Sequence, residues 1–268
     1  MRSSMPRVPK RPPRLLAIAG SDSGGGAGIQ ADLKAFARCG CHGMTAITAI
    51  TAQNTVEVAA VHPVPGDMVV EQVRVIAEDI GVDAVKIGML GDVATIEAVM
   101  RALDLLGEVP IVIDPVMVAE SGAALLCGDA IRALRSELLP RAAAITPNLA
   151  EARMLAGEAD GLSDEDLVRA LHALGPGAVV VTGGHREEPF DLFFDGDQLE
   201  EITGELHPGG AAHGSGCTHS SALAAGLAEG LSTLDAARRA KVIASEAVGC
   251  GLTGIGRGSG PVNVLGIG

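Results

Sequence analysis

The chain has 268 residues, 47% of them hydrophobic and 20% charged, a composition that is typical of a globular protein and excludes a disordered one. Its 33 acidic and 20 basic residues give a net charge of −13, which argues against nucleic acid or an anionic membrane as a partner. Trp and Tyr are absent, so aromatic platforms for stacking single-stranded nucleic acid are excluded as well.

The N-terminal segment, residues 1–13, is rich in arginine and proline and is predicted to be a disordered tail. The apolar run that follows, LLAIAG, is too short for a secretory signal or a membrane span. The remainder, residues 14–268, contains no internal repeat and no linker, so we expect a single domain. The five cysteines form no C-x-x-C pair, which favours reduced thiols and a cytoplasmic location.

From residue 14 onward, short apolar runs alternate with amphipathic stretches in the rhythm of βαβ units. The apolar runs predict strands over residues 14–20, 44–51, 84–87, 110–114, 142–146 and 178–182. The amphipathic stretches predict helices over residues 28–38, 66–78, 92–106, 129–138, 149–155, 164–174, 216–230 and 233–250. Because several strands are apolar throughout, we expect an α/β fold with a mostly parallel sheet covered by helices on both faces. Extended segments at residues 55–64 and 190–202 predict small antiparallel hairpins at the sheet margins, with no separate lid domain.

A glycine-rich segment, GSDSGGGAG at residues 20–28, lies between the first strand and the first helix. Its spacing does not give the G-x-G-x-x-G of dinucleotide-binding proteins, so a dinucleotide oxidoreductase is disfavoured. We interpret the segment as a wide turn that brings backbone close to a ligand. Asp32, one turn into the helix, either points toward that ligand or is an ordinary solvated surface group.

Polar side chains end several strands, at the edge where open α/β sheets bind ligands. Gln53 offers both a donor and an acceptor, which suits a heterocycle with the complementary pair. Asp114 ends another strand and could face a metal or a phosphate. Asn148 and Glu151 share one face of a first helical turn, and their oxygens suit Mg²⁺, which keeps much of its water. The alternative for Asn148 is a plain helix N-cap.

Lysine is scarce in this sequence, and none of the four lysines follows a glycine, so the phosphate loop G-x-x-x-x-G-K-[ST] is excluded. Lys86 in AVKIGML has only a superficial similarity to the V-A-I-K of protein kinases, because H-R-D and D-F-G are absent. The histidines show no H-E-x-x-H spacing, so a zinc site is not predicted. Any bound anion must therefore be held largely by backbone N–H groups and helix ends.

The strongest local signal is HGSGCT at residues 213–218, directly before an alanine-rich helix. A glycine-rich turn that opens a helix leaves backbone N–H groups unpaired, so Gly214, Ser215 and Gly216 predict an anion-binding site. Cys217 falls in the first turn, where the helix field is expected to lower its pKa toward neutrality. Its thiolate could then remove a proton from a hydroxyl group. The alternative is an ordinary helix start with a buried cysteine.

Seven motifs occur in a characteristic order: AGSDSGGGAGIQADLKAF, TAITAQNT, KIGML, DPVM, TPNLAEA, TGGH and AHGSGCTHSSALAA. From Leu15 to Cys250 the chain resembles the ribokinase superfamily, and within it the ThiD-type hydroxymethylpyrimidine/phosphomethylpyrimidine kinases of thiamine biosynthesis. The cysteine in GSGC is specific, because sugar kinases of the superfamily usually have aspartate there. The resemblance implies a ribokinase-like three-layer α/β fold, a homodimer, and phosphorylation of 4-amino-5-hydroxymethyl-2-methylpyrimidine to its monophosphate and then its diphosphate, with ATP and Mg²⁺.

The resemblance also implies roles for individual residues around the acceptor. Gln53 would hydrogen-bond the aminopyrimidine, in a pocket completed by Gly20, Asp32 and Met89. Cys217 would be the catalytic base. The backbone of the catalytic segment Gly214, Ser215, Gly216 and Cys217 would stabilise charge on the transferred phosphoryl group.

On the ATP side, the resemblance implies that Asn148 and Glu151 hold Mg²⁺ indirectly, through water. The other ATP-binding and phosphate-binding positions that it implies are Asp114, Thr182 and Gly184.

This sequence departs from the family pattern at three positions. Thr182 stands where many members have the lysine of a KGGH motif, Ser215 replaces a common threonine, and Glu120 occurs where a lysine is frequent. The charge of ATP would therefore be balanced by Mg²⁺, backbone groups and an arginine.

Two other functions stay open at this point. A pyridoxal or pyridoxine kinase of the same branch would also bind an aromatic heterocycle with a hydroxymethyl group. A non-catalytic pyrimidine sensor would keep the pocket without phosphoryl transfer, and Thr182 is the only feature that favours it.

Overall fold

The structure is a computed structural model that describes residues 11–119, 122–126, 128–157, 161–183 and 189–268. Its strands are β1 (Arg14–Asp22), β2 (His42–Gln53), β3 (Val58–Pro63), β4 (Ala84–Ile87), β5 (Ile111–Ile113), β6 (Ala144–Ile145), β7 (Val179–Val181), β8 (Phe190–Phe194) and β9 (Leu199–Thr203). Its α-helices are α1 (Gly28–Arg38), α2 (Gly66–Asp79), α3 (Val93–Leu103), α4 (Asp129–Ala133), α5 (Leu149–Ala156), α6 (Asp164–His172), α7 (Ser215–Ala228) and α8 (Thr233–Gly249). Each predicted element has a counterpart, and only one differs by more than a few residues at its ends.

These nine strands form one sheet in the order β3-β2-β1-β4-β5-β6-β7-β8-β9. The six strands from β2 to β7 in that order run parallel, whereas β3 is antiparallel to β2, β8 to β7, and β9 to β8. The sheet confirms the predicted parallel centre with antiparallel margins. The carboxyl ends of six strands consequently lie along one edge, where open sheets form ligand sites.

Helices cover both faces of the sheet, and small side chains let them pack closely. On one face, α2, α3, α5 and α6 surround a core that includes Val69 and Ile96. On the other face, α1, α7 and α8 surround a core that includes Phe36. A Cβ on Gly226 of α7 would lie 2.7 Å from the Cβ of Ala236 in α8. Contacts of this kind explain how the interior reaches close packing without Trp or Tyr.

The helix predicted over residues 129–138 is wrong in its second half. The α-helix α4 ends at Ala133 and is followed by a π-helical turn over Leu134–Leu138 and a 3-10 turn over Leu139–Arg141. The wider turn directs Leu134, Leu138 and Leu139 into the core, where each is at most 1% exposed. Hydrophobic periodicity alone does not distinguish this arrangement from a continuous helix, because the leucines recur at nearly helical spacing.

The start of β1 is anchored to the loop before β4, where Arg14 forms an ion pair with Asp83 at 2.7 Å. Residues 1–10 lie outside the described part of the chain, so the division into a tail (1–13) and a single domain (14–268) stays a prediction. None of the described helices is long and apolar enough to cross a membrane.

Candidate active site

A cavity of about 380 Å³ follows the carboxyl edge of the sheet. The strand order gives the order along this edge of the lining residues that follow strands. We distinguish three parts: the β2 end (Gly20, Thr51, Gln53, Met89), the central section (Asp114, Asn148, Glu151, Thr182 and residues 214–217) and the α8 end (Leu206, His207, Ala244, Ser245, Val248). Asp22 and Lys86 line the wall between the first two parts.

Asp22 organises the glycine-rich loop that follows β1. Its carboxylate accepts hydrogen bonds from the backbone N–H groups of Gly24, Gly26 and Ala27 at 2.8 to 3.0 Å. His213 Nε2 lies 3.1 Å from Asp22 Oδ2 and so links this loop to HGSGCT. Burial acts to raise the pKa of Asp22, but the hydrogen bonds from His213 and the loop hold that pKa below its usual value. Sequence reasoning missed this pair, although an aspartate two residues before a run of glycines is a recognisable signal of a carboxylate that caps backbone N–H groups.

The two glycine-rich segments touch through backbone atoms. At Gly214 the angle φ is +87°, and a Cβ there would lie 1.8 Å from the Gly26 carbonyl oxygen. At Gly28 φ is +56°, and a Cβ would lie 2.3 Å from the Gly20 carbonyl oxygen. Only glycine meets both the conformational and the steric requirement at these two positions.

Helix α7 begins at Ser215, with Gly214 as its N-cap residue. Gly214, Ser215, Gly216 and Cys217 all line the central section. The first N–H groups of a helix have no partner within the helix, and the macrodipole adds positive potential there. The geometry of this segment is thus compatible with the predicted anion-binding site.

The predicted lowering of the Cys217 pKa is wrong. Burial raises the pKa of this thiol to about 12, against the opposing effects of Lys86 and a backbone hydrogen bond from Gly28. The nearby carboxylates of Asp32 and Asp114 raise it further. The loss of solvent and the two negative charges therefore outweigh the helix field, and Cys217 is a protonated thiol at neutral pH.

Asp32 and Lys86 form a fully buried ion pair beneath the cavity. Lys86 Nζ lies 2.8 Å from Asp32 Oδ1, and both side chains are 0% exposed. Ser221 Oγ of α7 donates a hydrogen bond to the same oxygen at 2.8 Å. Among the described residues that line the cavity, Lys86 is present and Asp32 is not. Asp32 is thus neither solvated nor at the ligand surface as expected, and Lys86, which its motif gave no reason to select, reaches that surface.

Gly20, Gln53 and Met89 lie together at the β2 end. A Cβ on Gly20 would be 2.8 Å from Met89 Cε, so glycine leaves room for the thioether. Thr48 Oγ1 donates a hydrogen bond to the Met89 carbonyl at 2.7 Å, and Thr51 Oγ1 donates its hydrogen to the Ser21 carbonyl at 2.9 Å while lying 3.2 Å from Gln53 Oε1. The Gln53 amide retains donors and an acceptor for a ligand.

Asn148 and Glu151 form a capping box at the start of α5. Asn148 Oδ1 accepts a hydrogen bond from the Glu151 N–H at 2.9 Å, and Glu151 Oε2 accepts one from the Asn148 N–H at 3.0 Å. The N-cap role of Asn148 is confirmed, and both residues also line the cavity. Burial and then the charge of Asp114 raise the pKa of Glu151 to about 8. Two carboxylates crowded in the central section favour a bound cation.

Thr182 lies directly after β7, beside the start of α5. Its backbone N–H donates a hydrogen bond to the Pro147 carbonyl at 2.9 Å. This bond brings Thr182 and Asn148 to neighbouring positions on the wall of the central section. Gly184 and Glu120 lie outside the described residues.

A second buried charge cluster lies on the cavity wall beyond β7. Lys241 Nζ is 2.7 Å from Asp191 Oδ1, and His219 Nε2 is 3.1 Å from Asp191 Oδ2. The Gly183 N–H donates a hydrogen bond to Asp191 Oδ1 at 3.1 Å. Although burial acts to raise the pKa of Asp191, His219 and Lys241 lower it to about 2. Sequence reasoning missed this cluster because its members come from β8, α7 and α8, and no spacing pattern connects them.

Comparisons with known proteins agree with this geometry. Residues 22–263 match the family described as Phosphomethylpyrimidine kinase. The hydroxymethylpyrimidine/phosphomethylpyrimidine kinase of Mycobacterium tuberculosis is 44% identical over 262 residues, covering 95% of this chain and 94% of that protein. The protein of the same name from Rhizobium meliloti is 47% identical over 254 residues, covering 92% of this chain and 95% of that protein.

A solved structure extends the similarity to three dimensions. The pyridoxal kinase from Staphylococcus aureus in complex with ADP superposes with a TM-score of 0.86 at 33% identity, covering 94% of this chain and 93% of that one. Together with the sheet order, this similarity confirms the expected ribokinase-like three-layer α/β fold.

Replacing Gly214 by alanine is expected to destabilise the fold much more than replacing Gly209. Both glycines have a positive φ, +87° and +81°, but a Cβ on Gly209 would meet no atom within 4 Å. Gly209→Ala should cost only the left-handed strain of about 1–2 kcal/mol, whereas Gly214→Ala adds a clash with the Gly26 carbonyl oxygen. Denaturant unfolding of both variants measures the difference, and equal losses would contradict a direct backbone contact.

Proposed function

The chain belongs to the phosphomethylpyrimidine kinase family, and we propose that it transfers the γ-phosphoryl group of ATP to 4-amino-5-hydroxymethyl-2-methylpyrimidine and then to the resulting monophosphate, in thiamine biosynthesis. The observation that carries this proposal is the family match over residues 22–263. The matched residues line a cavity with the Gln53 amide at one end and the start of α7 at its centre. We expect the enzyme to act in the cytoplasm, where its free thiols remain reduced.

The β2 end suits the aminopyrimidine ring. The Gln53 amide would accept a hydrogen bond from the exocyclic amino group and donate one to a ring nitrogen. Gly20 leaves room for the Met89 thioether, which would pack against the ring. Since the chain has neither Trp nor Tyr, ring recognition depends on hydrogen bonds and thioether contact.

The central section suits the phosphoryl transfer. In the first transfer the hydroxyl oxygen forms a bond to the γ phosphorus, the bond from that phosphorus to the β–γ bridging oxygen breaks, and ADP leaves with the electron pair. The hydroxyl proton must also leave, and the Cys217 thiolate is the proposed acceptor. Backbone N–H groups at the start of α7, from Gly214 to Cys217, would stabilise charge on the transferred group.

Mg²⁺ fits the oxygen atoms of the central section when water and phosphate complete its coordination. The described residues contain no group of three or more His, Cys, Asp or Glu side chains that could hold a metal alone. Both Glu151 oxygens already accept backbone hydrogen bonds, which suits contact through water better than direct ligation. Glu151, Asn148 and Asp114 would hold the hydrated ion, which neutralises phosphate charge when bound.

The nucleoside of ATP would lie at the α8 end, because its phosphates would then reach the central section. His207 Nε2 and Ser245 Oγ lie 2.8 Å apart there and offer polar groups beside the apolar Val248. Thr182 contributes no positive charge, so phosphate binding depends on the helix start, Mg²⁺ and backbone groups.

Purified protein incubated with ATP, Mg²⁺ and the pyrimidine alcohol is expected to form the monophosphate first and the diphosphate later. Phosphorus NMR or mass spectrometry of the time course distinguishes the two products. Absence of both products would refute the proposed function.

The same assay with pyridoxal should give a lower kcat/KM than with the pyrimidine alcohol. A higher value would make pyridoxal kinase the better description.

Cys217→Ala is expected to abolish most of the first transfer and to leave acceptor binding largely unchanged, because Gln53 and Met89 remain. If the thiolate is the base, wild-type kcat should rise about tenfold per pH unit from about pH 7 to 9, since a pKa of about 12 keeps the thiolate a minor species there. Steady-state kinetics and equilibrium binding over this range test both points. Cys250→Ser, at an exposed cysteine, is the matched control, and an unchanged rate in Cys217→Ala would remove the base role.

We also propose a homodimer, supported by the outermost strand β3, whose last five residues are exposed and include Val61 at 45%. An uncovered edge strand favours pairing with another chain. Val61→Lys should therefore shift the protein toward monomers in light scattering coupled to size exclusion. Val242→Lys, at a valine of α8 that is 55% exposed, should not. A monomeric wild-type protein would contradict the proposal.

A further inference from the structure

Lys86 brings a positive charge to the part of the cavity where the reacting oxygen of the acceptor must lie. In β4 it is paired with Ala17 of β1 and Val112 of β5, so the sheet order places it between the β2 end and Asp114. Its side chain is 0% exposed and lines the cavity. Gly88 provides the space, because a Cβ there would lie 2.9 Å from Lys86 Nζ.

The Lys86 ammonium is incompletely satisfied by the protein. It carries three N–H donors. Asp32 Oδ1, at 2.8 Å, takes one of these donors, whereas Asp114 Oδ2 at 3.8 Å is beyond hydrogen-bond distance, so donors remain without a partner among the described residues. Burial acts to lower the pKa of Lys86, but the carboxylates of Asp32 and Asp114 raise it above its usual value, so the group stays charged. A buried cation with unused donors is suited to bind an oxygen anion of a ligand.

The two proposed acceptors differ in charge at this position. The pyrimidine alcohol is neutral there, whereas its monophosphate carries a charge of about −1.5 to −2 near neutral pH. The carboxylates of Asp22 and Asp114 line the same part of the cavity and repel such an anion. Among the described lining residues, the other ammonium group is Lys241, which is paired with Asp191 beyond β7. Among the described lining residues, Lys86 is therefore the ammonium group available to the monophosphate.

The two transfers also differ in what they require. In the second, an oxygen of the monophosphate forms a bond to the γ phosphorus, the bond to the β–γ bridging oxygen breaks, and ADP leaves with the electron pair. The attacking oxygen is already anionic, so no proton has to be removed. The second transfer needs charge compensation where the first needs a base.

We propose that Lys86 determines the acceptance of the monophosphate: its ammonium binds a phosphate oxygen of this acceptor and supports the second transfer, while contributing little to the first. The proposal rests on the two-step function given above. Asp32 is then a positioning residue that acts through Lys86, and Ser221 of α7 holds Asp32 in place.

The test uses the double variant Lys86→Met/Asp32→Asn, which removes the ammonium without leaving an unpaired buried carboxylate. Equilibrium binding without ATP and kcat/KM are measured separately with the alcohol and with the monophosphate as ligand. Both quantities should fall at least about tenfold for the monophosphate, the factor that a hydrogen bond to a charged group contributes, and less than about threefold for the alcohol. The matched control, Lys241→Met/Asp191→Asn, removes a second buried pair, 9% and 2% exposed, and should affect both acceptors alike.

Equal losses for both acceptors would show a structural role and overturn the proposal, as would an unchanged monophosphate affinity. If circular dichroism shows that the double variant is unfolded, the single variants Lys86→Arg and Lys86→Gln are compared instead, with the same binding and kcat/KM measurements. Only the arginine variant should keep the preference for the monophosphate. If the wild-type protein phosphorylates neither acceptor, the proposed function fails. The binding comparison still tests Lys86 in that case.

Discussion

The site depends on one direct contact, that between the backbones of Gly26 and Gly214. Because no side chain fits between them, the start of α7 is held in atomic contact with the loop after β1. The position of α7 in turn places Ser220 and Ser221, whose hydroxyl groups bond Asp114 and Asp32 at 3.1 and 2.8 Å. The steric requirement at the two glycines therefore also determines where the charged groups under the cavity are held. Cys217 belongs to the same helix and lines the cavity wall.

Most of the fold could be predicted because its signals are local. Continuous apolar runs such as IVID predict strands buried on both faces, and the strand order then collects the ends of β1, β2 and β4 to β7 at one edge. The segment after Ala133 could not be predicted, because the leucines there recur at nearly the same spacing in an α-helix and in a π-helical turn. What decides between them is the shape of the core that receives these side chains, which sequence periodicity does not contain.

The parts of the site that depend on local backbone chemistry could be predicted from the sequence. The parts that depend on burial by distant elements could not. The helix start at Ser215 and the capping box at Asn148 follow from residue type and position. Lys86 does not, because a lysine within an apolar strand acquires its role only when Asp32 arrives from another element. The pKa of Cys217 has the same origin, since desolvation and neighbouring carboxylates outweigh the helix field that the sequence predicts.

The strand order also separates two tasks along one edge of the sheet. The residues proposed to bind the ring, Gly20, Gln53 and Met89, lie at the β2 end, whereas Asp114, Asn148 and Glu151, proposed to hold Mg²⁺, lie beyond β4. Mutations at the first three positions can change the heterocycle without displacing the second set. A scaffold divided in this way can accept a different heterocycle after few substitutions, and a pyridoxal kinase of nearly the same shape is 33% identical to this chain.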